Sequence, residues 1–178
     1  MNVVRTEIPG VLVFEPQVHA DDRGALFESF NAAAFAAAVG EVVTFVQDNH
    51  STSRRHVLRG LHWQRPRGQG KLVRVVRGRV FDVAADIRPD SATFGRWVGV
   101  ELTAANRRQL WIPPGLAHGF LALEDAEVLY KATDFYAPEH QHCIAWDDPT
   151  LAIIWPLTAP PILSPRDRQG DRLEAARS

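Results

Sequence analysis

An imidazole and an ammonium set nine residues apart are the first groups in this chain able to do chemistry. His62 lies in Val57-Leu58-Arg59-Gly60-Leu61-His62-Trp63-Gln64, and Lys71 in Gly70-Lys71-Leu72-Val73-Arg74-Val75. Period-2 alternation puts Gly60, His62 and Gln64 on one face of a strand and Leu61 and Trp63 on the other. Lys71, Val73 and Val75 line one face of the next strand. An imidazole and an ammonium on facing strands, beside a glycine that leaves space, make a candidate reaction site. The same two residues also fit a satisfied core histidine and a solvated edge lysine. The chain has only two lysines, Lys71 and Lys131, among many arginines. A lysine here therefore reads as a chemical choice, because an ammonium can be tuned and a guanidinium cannot.

Other groups join this pair. Pro113-Pro114-Gly115-Leu116-Ala117-His118 sets a second histidine at the start of a strand, after a rigid turn. The only two tyrosines, Tyr130 and Tyr136, fall in one strand-like run at an even separation. In a regular strand they share a face, and half-buried packing explains them equally well. Asp167, in Ser164-Pro165-Arg166-Asp167, reads alone as a surface acid. Its apolar lead-in, Pro161-Ile162-Leu163, could tie it to the body.

The elements that must hold these groups are short. Val57 to Asp86 reads as two strands joined by a polar turn at Pro66, Gly68 and Gly70, then a tight hairpin at Arg77-Gly78-Arg79 into a third strand. Val11 to Phe14 is expected as an edge strand. Asp21-Asp22-Arg23-Gly24 is a turn, followed by a strand from Ala25 to Phe30 with Leu26, Glu28 and Phe30 on one face and Phe27 on the other. Asn31 caps a short helix, AAAFAAAV, which Gly40 ends. Val42 to Val46 is expected as a strand running into the polar cluster Gln47-Asp48-Asn49-His50-Ser51. Further strands are expected over Trp97 to Leu102, Gln109 to Ile112, Leu116 to Leu123, Glu127 to Tyr136, Cys143 to Trp146 and Ile153 to Trp155. The stretch from Arg166 to Ser178 is polar and expected to fray. About ten short strands with regular turn signals predict an all-β sandwich or barrel.

Composition narrows the class. At 178 residues the chain has the size of one domain with a real core. Its net charge of −1 points to neither nucleic acid nor an anionic membrane. The single cysteine, Cys143, excludes an internal disulfide and fits a reducing compartment. The start carries no signal-like segment and no apolar run spans a bilayer, so a soluble cytoplasmic protein is expected. Two histidines in a β-barrel raise the question of a metal. Such a site needs a His-x-His pair and a nearby carboxylate, but here the second position is Gln64 and the next inward residue is the cation Lys71.

Five segments together carry a family resemblance: Phe45-Val46-Gln47-Asp48-Asn49-His50-Ser51, Val57 to His62, Gln69-Gly70-Lys71-Leu72-Val73, Ile112 to Phe120, and Trp146-Asp147-Asp148-Pro149. In order and spacing, from about Gly10 to Asp167, they resemble the dTDP-4-dehydrorhamnose 3,5-epimerases. The resemblance implies a cupin-type jelly roll over residues 1–178, with one or two short helices, no metal and no cofactor. It implies a homodimer whose N-terminal strands help build the partner's pocket. The implied substrate is a dTDP-linked 4-keto-6-deoxyhexose, inverted at carbons 3 and 5. A single-centre epimerase or ketoisomerase is the near alternative, and a metal-dependent cupin oxygenase the distant one. By motif, His62 resembles the general base, Asp167 its carboxylate partner, Tyr130 the proton donor and Lys71 the group that stabilises the enolate. Tyr136 resembles the residue stacked on thymine. Arg23, Phe27, Glu28, Gln47, Asn49, Arg59, His118, Gln141 and Arg166 fall where substrate contacts lie. Three positions depart from the pattern: Trp63 for Tyr or Phe, Gln141 for Glu, and Cys143 for Gly, all expected at the rim. One problem of parity remains. Arg59 and His62 should face opposite ways unless a bulge at Gly60 realigns them.

Overall fold

The computed structural model describes residues 1–177. Two antiparallel sheets pack face to face. The first contains β1 (Asn2–Arg5), β2 (Leu12–Glu15), β10 (Gln109–Ile112), β7 (Lys71–Arg77), β12 (Ala126–Ala132) and β5 (Gln47–Ser53), in that spatial order. The second contains β13 (Gln141–Cys143), β6 (Leu58–Gln64), β11 (Leu116–Ala122), β8 (Arg79–Asp86) and β9 (Trp97–Thr103). A separate exposed hairpin is formed by β3 (Val18–Asp21) and β4 (Gly24–Phe27). This is the all-β, cupin-type jelly roll expected from the strand pattern and the resemblance. Among the described residues no helix is long and apolar enough to cross a membrane.

Alternation sorts each strand between the interior and an outer face. Val73 and Val75 of β7, Val80 and Ala84 of β8, Leu116 and Phe120 of β11, and Val128 of β12 fill the space between the sheets. The outer face of the first sheet is covered by α1 (Ala32–Val39), whose Phe35 packs on Phe14 and Trp111. As expected, Asn31 caps this helix, accepting from Ala34 N–H, and Gly40 ends it at φ +92°.

The outer face of the second sheet is covered by the C-terminal segment, through Leu151, Trp155 and Leu173. The stretch from Arg166 to Ser178 was expected to fray; Ser178 lies outside the described residues, and from Arg166 to Leu173 the segment is held in place. Leu173 is 1% exposed, because the buried Asp148 carboxylate accepts from its N–H as well as from those of Thr150 and Leu151.

Several expected elements fall differently. Arg77-Gly78-Arg79 is no hairpin: β7 and β8 belong to different sheets, and the turn carries the chain across the sandwich. Val11–Phe14 is not at the edge, since β2 sits between β1 and β10. Val42–Val46 is not a strand; the strand is the polar run that follows, β5, whose neighbour is β12. Polar residues survive there because the inner face of β5 lines a site and not the core. Strand β4 stops at Phe27, short of Phe30, and β12 stops at Ala132, short of Tyr136. Residues Ile153–Trp155 form no strand, and the last strand, β13, ends at Cys143.

Candidate active site

The site begins with an irregularity in β6. Between Arg59, opposite Phe120, and His62, opposite His118, β6 spends three residue steps against two on β11. This bulge at Gly60 and Leu61 resets the alternation. Leu58 and Leu61 both join the outer cluster, so Arg59 and His62 both turn inward. The parity problem is thereby resolved. Gly60 is required: its φ is +112°, and a Cβ there would lie 2.6 Å from the Gly119 Cα and from the His118 carbonyl oxygen.

His62 is half-buried, and its Nε2 lies 2.6 Å from Oδ1 of Asp167, which is 3% exposed. The C-terminal segment that covers the second sheet thus delivers the carboxylate to the back of the imidazole, 105 residues along the chain. Burial pushes the Asp167 carboxyl up. Hydrogen bonds from His62, Ser164 and the Gly60 N–H outweigh it and hold the group below the usual carboxylate range. An ionised Asp167 only accepts, so Nε2 carries the ring proton and Nδ1 presents its lone pair. That is the arrangement of a general base steadied by a buried carboxylate.

The opposing sheet supplies the cation and the acid. Lys71 shares the inner parity of Val73 and Val75 and is partly open to the interior. Burial pushes its ammonium down to about 8, against the pull of the negative Asp82. Tyr130 packs against the interior cluster from β12, two residues from Ala132, the register partner of Lys71. Burial raises the Tyr130 phenol, with Arg59 opposing, so it keeps its proton and can donate it. Asn49 lies opposite Tyr130 on β5, with its Nδ2 buried and without a partner among the described residues. Gln47 Nε2 donates to Asn49 Oδ1 at 2.9 Å, while Gln47 Oε1 accepts from Tyr136 N–H.

His118 is buried, with Nε2 2.5 Å from Oδ1 of Asp82, whose Oδ2 has no partner among the described residues. Asp82 was missed by sequence reasoning. Its signal was available: in Arg79-Val80-Phe81-Asp82-Val83-Ala84 an acid shares parity with Val80 and Ala84, so it faces inward.

Arg59, His62, Lys71, Tyr130, Asn49, Gln47 and His118 therefore line the space between the sheets, and Asp167 backs it. Other expected contacts lie apart within one chain. Arg23 is exposed on the β3–β4 hairpin and pairs with Asp21. Phe27 lies under Arg107, and Glu28 accepts from Asn31. Tyr136 is half-exposed and off the strand that was expected to align it with Tyr130. Gln141 and Arg166 bind one another, with Arg166 Nη1 2.6 Å from Gln141 Oε1. Gln64 is a structural latch, donating to the Arg67 and Phe135 carbonyls and accepting from Ala137 N–H.

Cys143 corrects an expectation. It is not at the rim but 7% exposed, opposite His62 in register, with its thiol 3.8 Å from Asp167 Oδ1. Burial and the Asp167 charge push the thiol up to about 12, so it stays protonated.

Comparison with known proteins agrees with this geometry. The dTDP-4-dehydrorhamnose 3,5-epimerase of Pseudomonas aeruginosa is 60% identical over 171 residues, covering 96% of this chain and 94% of that protein. The Escherichia coli enzyme of the same name is 58% identical, covering 95% and 92%. The crystal structure of a dTDP-6-deoxy-D-glucose-3,5-epimerase from Legionella pneumophila, in complex with dTDP-4-keto-L-rhamnose, superposes with a TM-score of 0.95 at 49% identity, covering 97% and 93%. The family model described as dTDP-4-dehydrorhamnose 3,5-epimerase matches residues 5–175, and the chain belongs to that family.

Proposed function

We propose that the chain inverts carbons 3 and 5 of dTDP-4-dehydro-6-deoxy-D-glucose by proton transfer, giving dTDP-4-dehydro-L-rhamnose. The observation that carries the mechanism is His62 on one sheet, backed by Asp167 of the C-terminal segment, opposite an inward ammonium and an inward phenol on the other sheet. The carbon 4 ketone acidifies the hydrogens on carbons 3 and 5. His62 Nδ1 removes one of them, and Asp167 stabilises the imidazolium that forms. The electron pair moves to the ketone oxygen, where the Lys71 ammonium offsets the charge of the enolate. Tyr130, from the opposite side, returns a proton to the other face of the carbon. The substrate supplies its own electron sink, so the scheme calls for no cofactor.

Arg59, Asn49, Gln47 and His118 are the substrate contacts within this reading; Asn49 Nδ2 and Asp82 Oδ2 are buried groups still open to a polar partner. Arg23, Phe27 and Glu28 serve a neighbouring pocket, which makes the active form a homodimer. What supports this is an exposed hairpin paired with neither sheet, whose Leu26 is 76% exposed. Tyr136, Gln141 and Arg166 form the nucleotide end. A reducing, cytoplasmic setting suits the one unpaired cysteine.

The test is incubation with substrate in deuterated water, followed by NMR. Exchange with inversion at both carbons supports the reading. Inversion at one carbon assigns a single-centre epimerase, and the absence of any exchange removes proton transfer altogether.

A further inference from the structure

We infer that His62, Cys143 and Asp167 form an inhibitory site for a thiophilic divalent cation, of which zinc is the natural candidate. The inference rests on the reading of His62 as the base. Three different ligand types meet there: an imidazole nitrogen, a thiol sulfur and a carboxylate oxygen, one atom from each, all within 4.8 Å of one another. The placement follows from the fold. Cys143 on β13 is the cross-strand neighbour of His62 on β6, and the C-terminal segment brings Asp167 against both.

Zinc accepts all three ligand types at about 2.0–2.3 Å in tetrahedral geometry, which spaces the ligand atoms by roughly 3.3–3.7 Å. The Sγ to Oδ1 distance is 3.8 Å and the Nε2 to Oδ1 distance 2.6 Å. The Nε2–Oδ1 hydrogen bond must open by less than about 1 Å, and the imidazole nitrogen and the thiol, now within 4.8 Å, must close on one another to a similar spacing. The charges balance as well: one thiolate and one carboxylate neutralise a dication, as a buried site demands. Access comes from outside the sandwich. A surface cleft of about 190 Å³, lined by Gln141, His142, Cys143, Arg166, Gln169 and Asp171, reaches the cysteine.

Binding there disables the base by moving its ring proton. The metal forms bonds to Nε2, Sγ and an Asp167 oxygen. The Cys143 S–H bond breaks and its proton goes to solvent. The Nε2–H bond also breaks, and a proton is taken up at Nδ1, so the ring stays neutral. Nδ1 then carries a hydrogen where catalysis needs a lone pair. No electron is transferred.

Cobalt(II) is the probe, because a thiolate ligand gives it a charge-transfer band, and Cys143 is the sole cysteine of the chain. Titrating the intact protein with cobalt should raise that band, zinc should bleach it by displacement, and turnover should fall along the same curve. Cys143→Ala should turn over normally without metal and resist zinc by about tenfold or more, the scale of losing a metal-site partner. Asp167→Asn and His62→Gln, which keep the thiol, should each weaken the cobalt band's affinity by about tenfold or more. A missing band, an affinity unchanged in both of these variants, or zinc inhibition undiminished in Cys143→Ala overturns the site. A band that forms while turnover stays full overturns the inhibition, and with it the reading of His62 as the base.

Discussion

Replacing Asp82 by Asn should pull the alkaline limb of the epimerase activity toward neutral pH. In the proposed mechanism enolate stabilisation requires a charged Lys71. Burial brings that ammonium down to about 8, and the Asp82 charge is what opposes the fall. Removing the charge should lower Lys71 by about one further unit, the lower end of what a nearby opposite charge supplies and worth roughly 1.4 kcal/mol. At pH 8 the ammonium fraction then drops from about one half to about one tenth, a fivefold loss of rate, while near pH 6 the loss is only about a tenth. The assay is deuterium wash-in at carbons 3 and 5 as a function of pH at constant ionic strength. Lys71→Arg serves as the companion variant: a guanidinium does not deprotonate in this range, so the limb should vanish, whatever the residual rate. A limb that stays in place in Asp82→Asn, or persists in Lys71→Arg, refutes the assignment. The same shift has a signature in stability. The unfolded chain binds the Lys71 proton up to about 10.5 and the folded chain only up to about 8. Between those values the unfolded state holds more protons, so the contribution of this group to stability rises with pH across that window.

Tyr130→Phe should lose about 10²–10⁴-fold in product formation yet still incorporate deuterium into recovered substrate, because His62 can return the proton to the original face. NMR of both sugars decides this, and epimerisation at the parent rate reduces Tyr130 to packing. Mixing inactive His62→Ala and Arg23→Ala chains should restore activity through hybrid pockets; with subunit exchange verified, activity no higher than that of the separate variants rules out a pocket shared between subunits. Gly60→Ala should destabilise the fold by about 2–5 kcal/mol, combining the strain of its positive φ with the overlap on β11. An unchanged urea midpoint would contradict that.

The one α-helix among the described residues and its two caps were legible locally, because Asn31 and Gly40 act on backbone within a turn of themselves. The strand Leu116–Ala122 was legible for a related reason: a short, largely apolar run bounded by turn signals reads as a strand, and this one is buried on both faces. His62 and Lys71 could be singled out as chemical residues, and five motifs in order were enough to indicate the family. Partnership was not legible. Nothing local makes Arg77-Gly78-Arg79 cross between sheets when the same residues suit a hairpin, because the choice lies with strands far away in sequence. Nothing local makes the polar run Gln47–Ser53 a strand; β12 does, by supplying its hydrogen bonds. The inward turn of Arg59 depends on a bulge that exists only against β11. Asp167 resembled a surface acid until Asp148 and the apolar Leu173 fastened the C-terminal segment to the second sheet and seated it behind His62. Asp82 and Cys143 gained their places in the same way, since a side chain's electrostatic surroundings are assembled from strands that only the tertiary fold brings together.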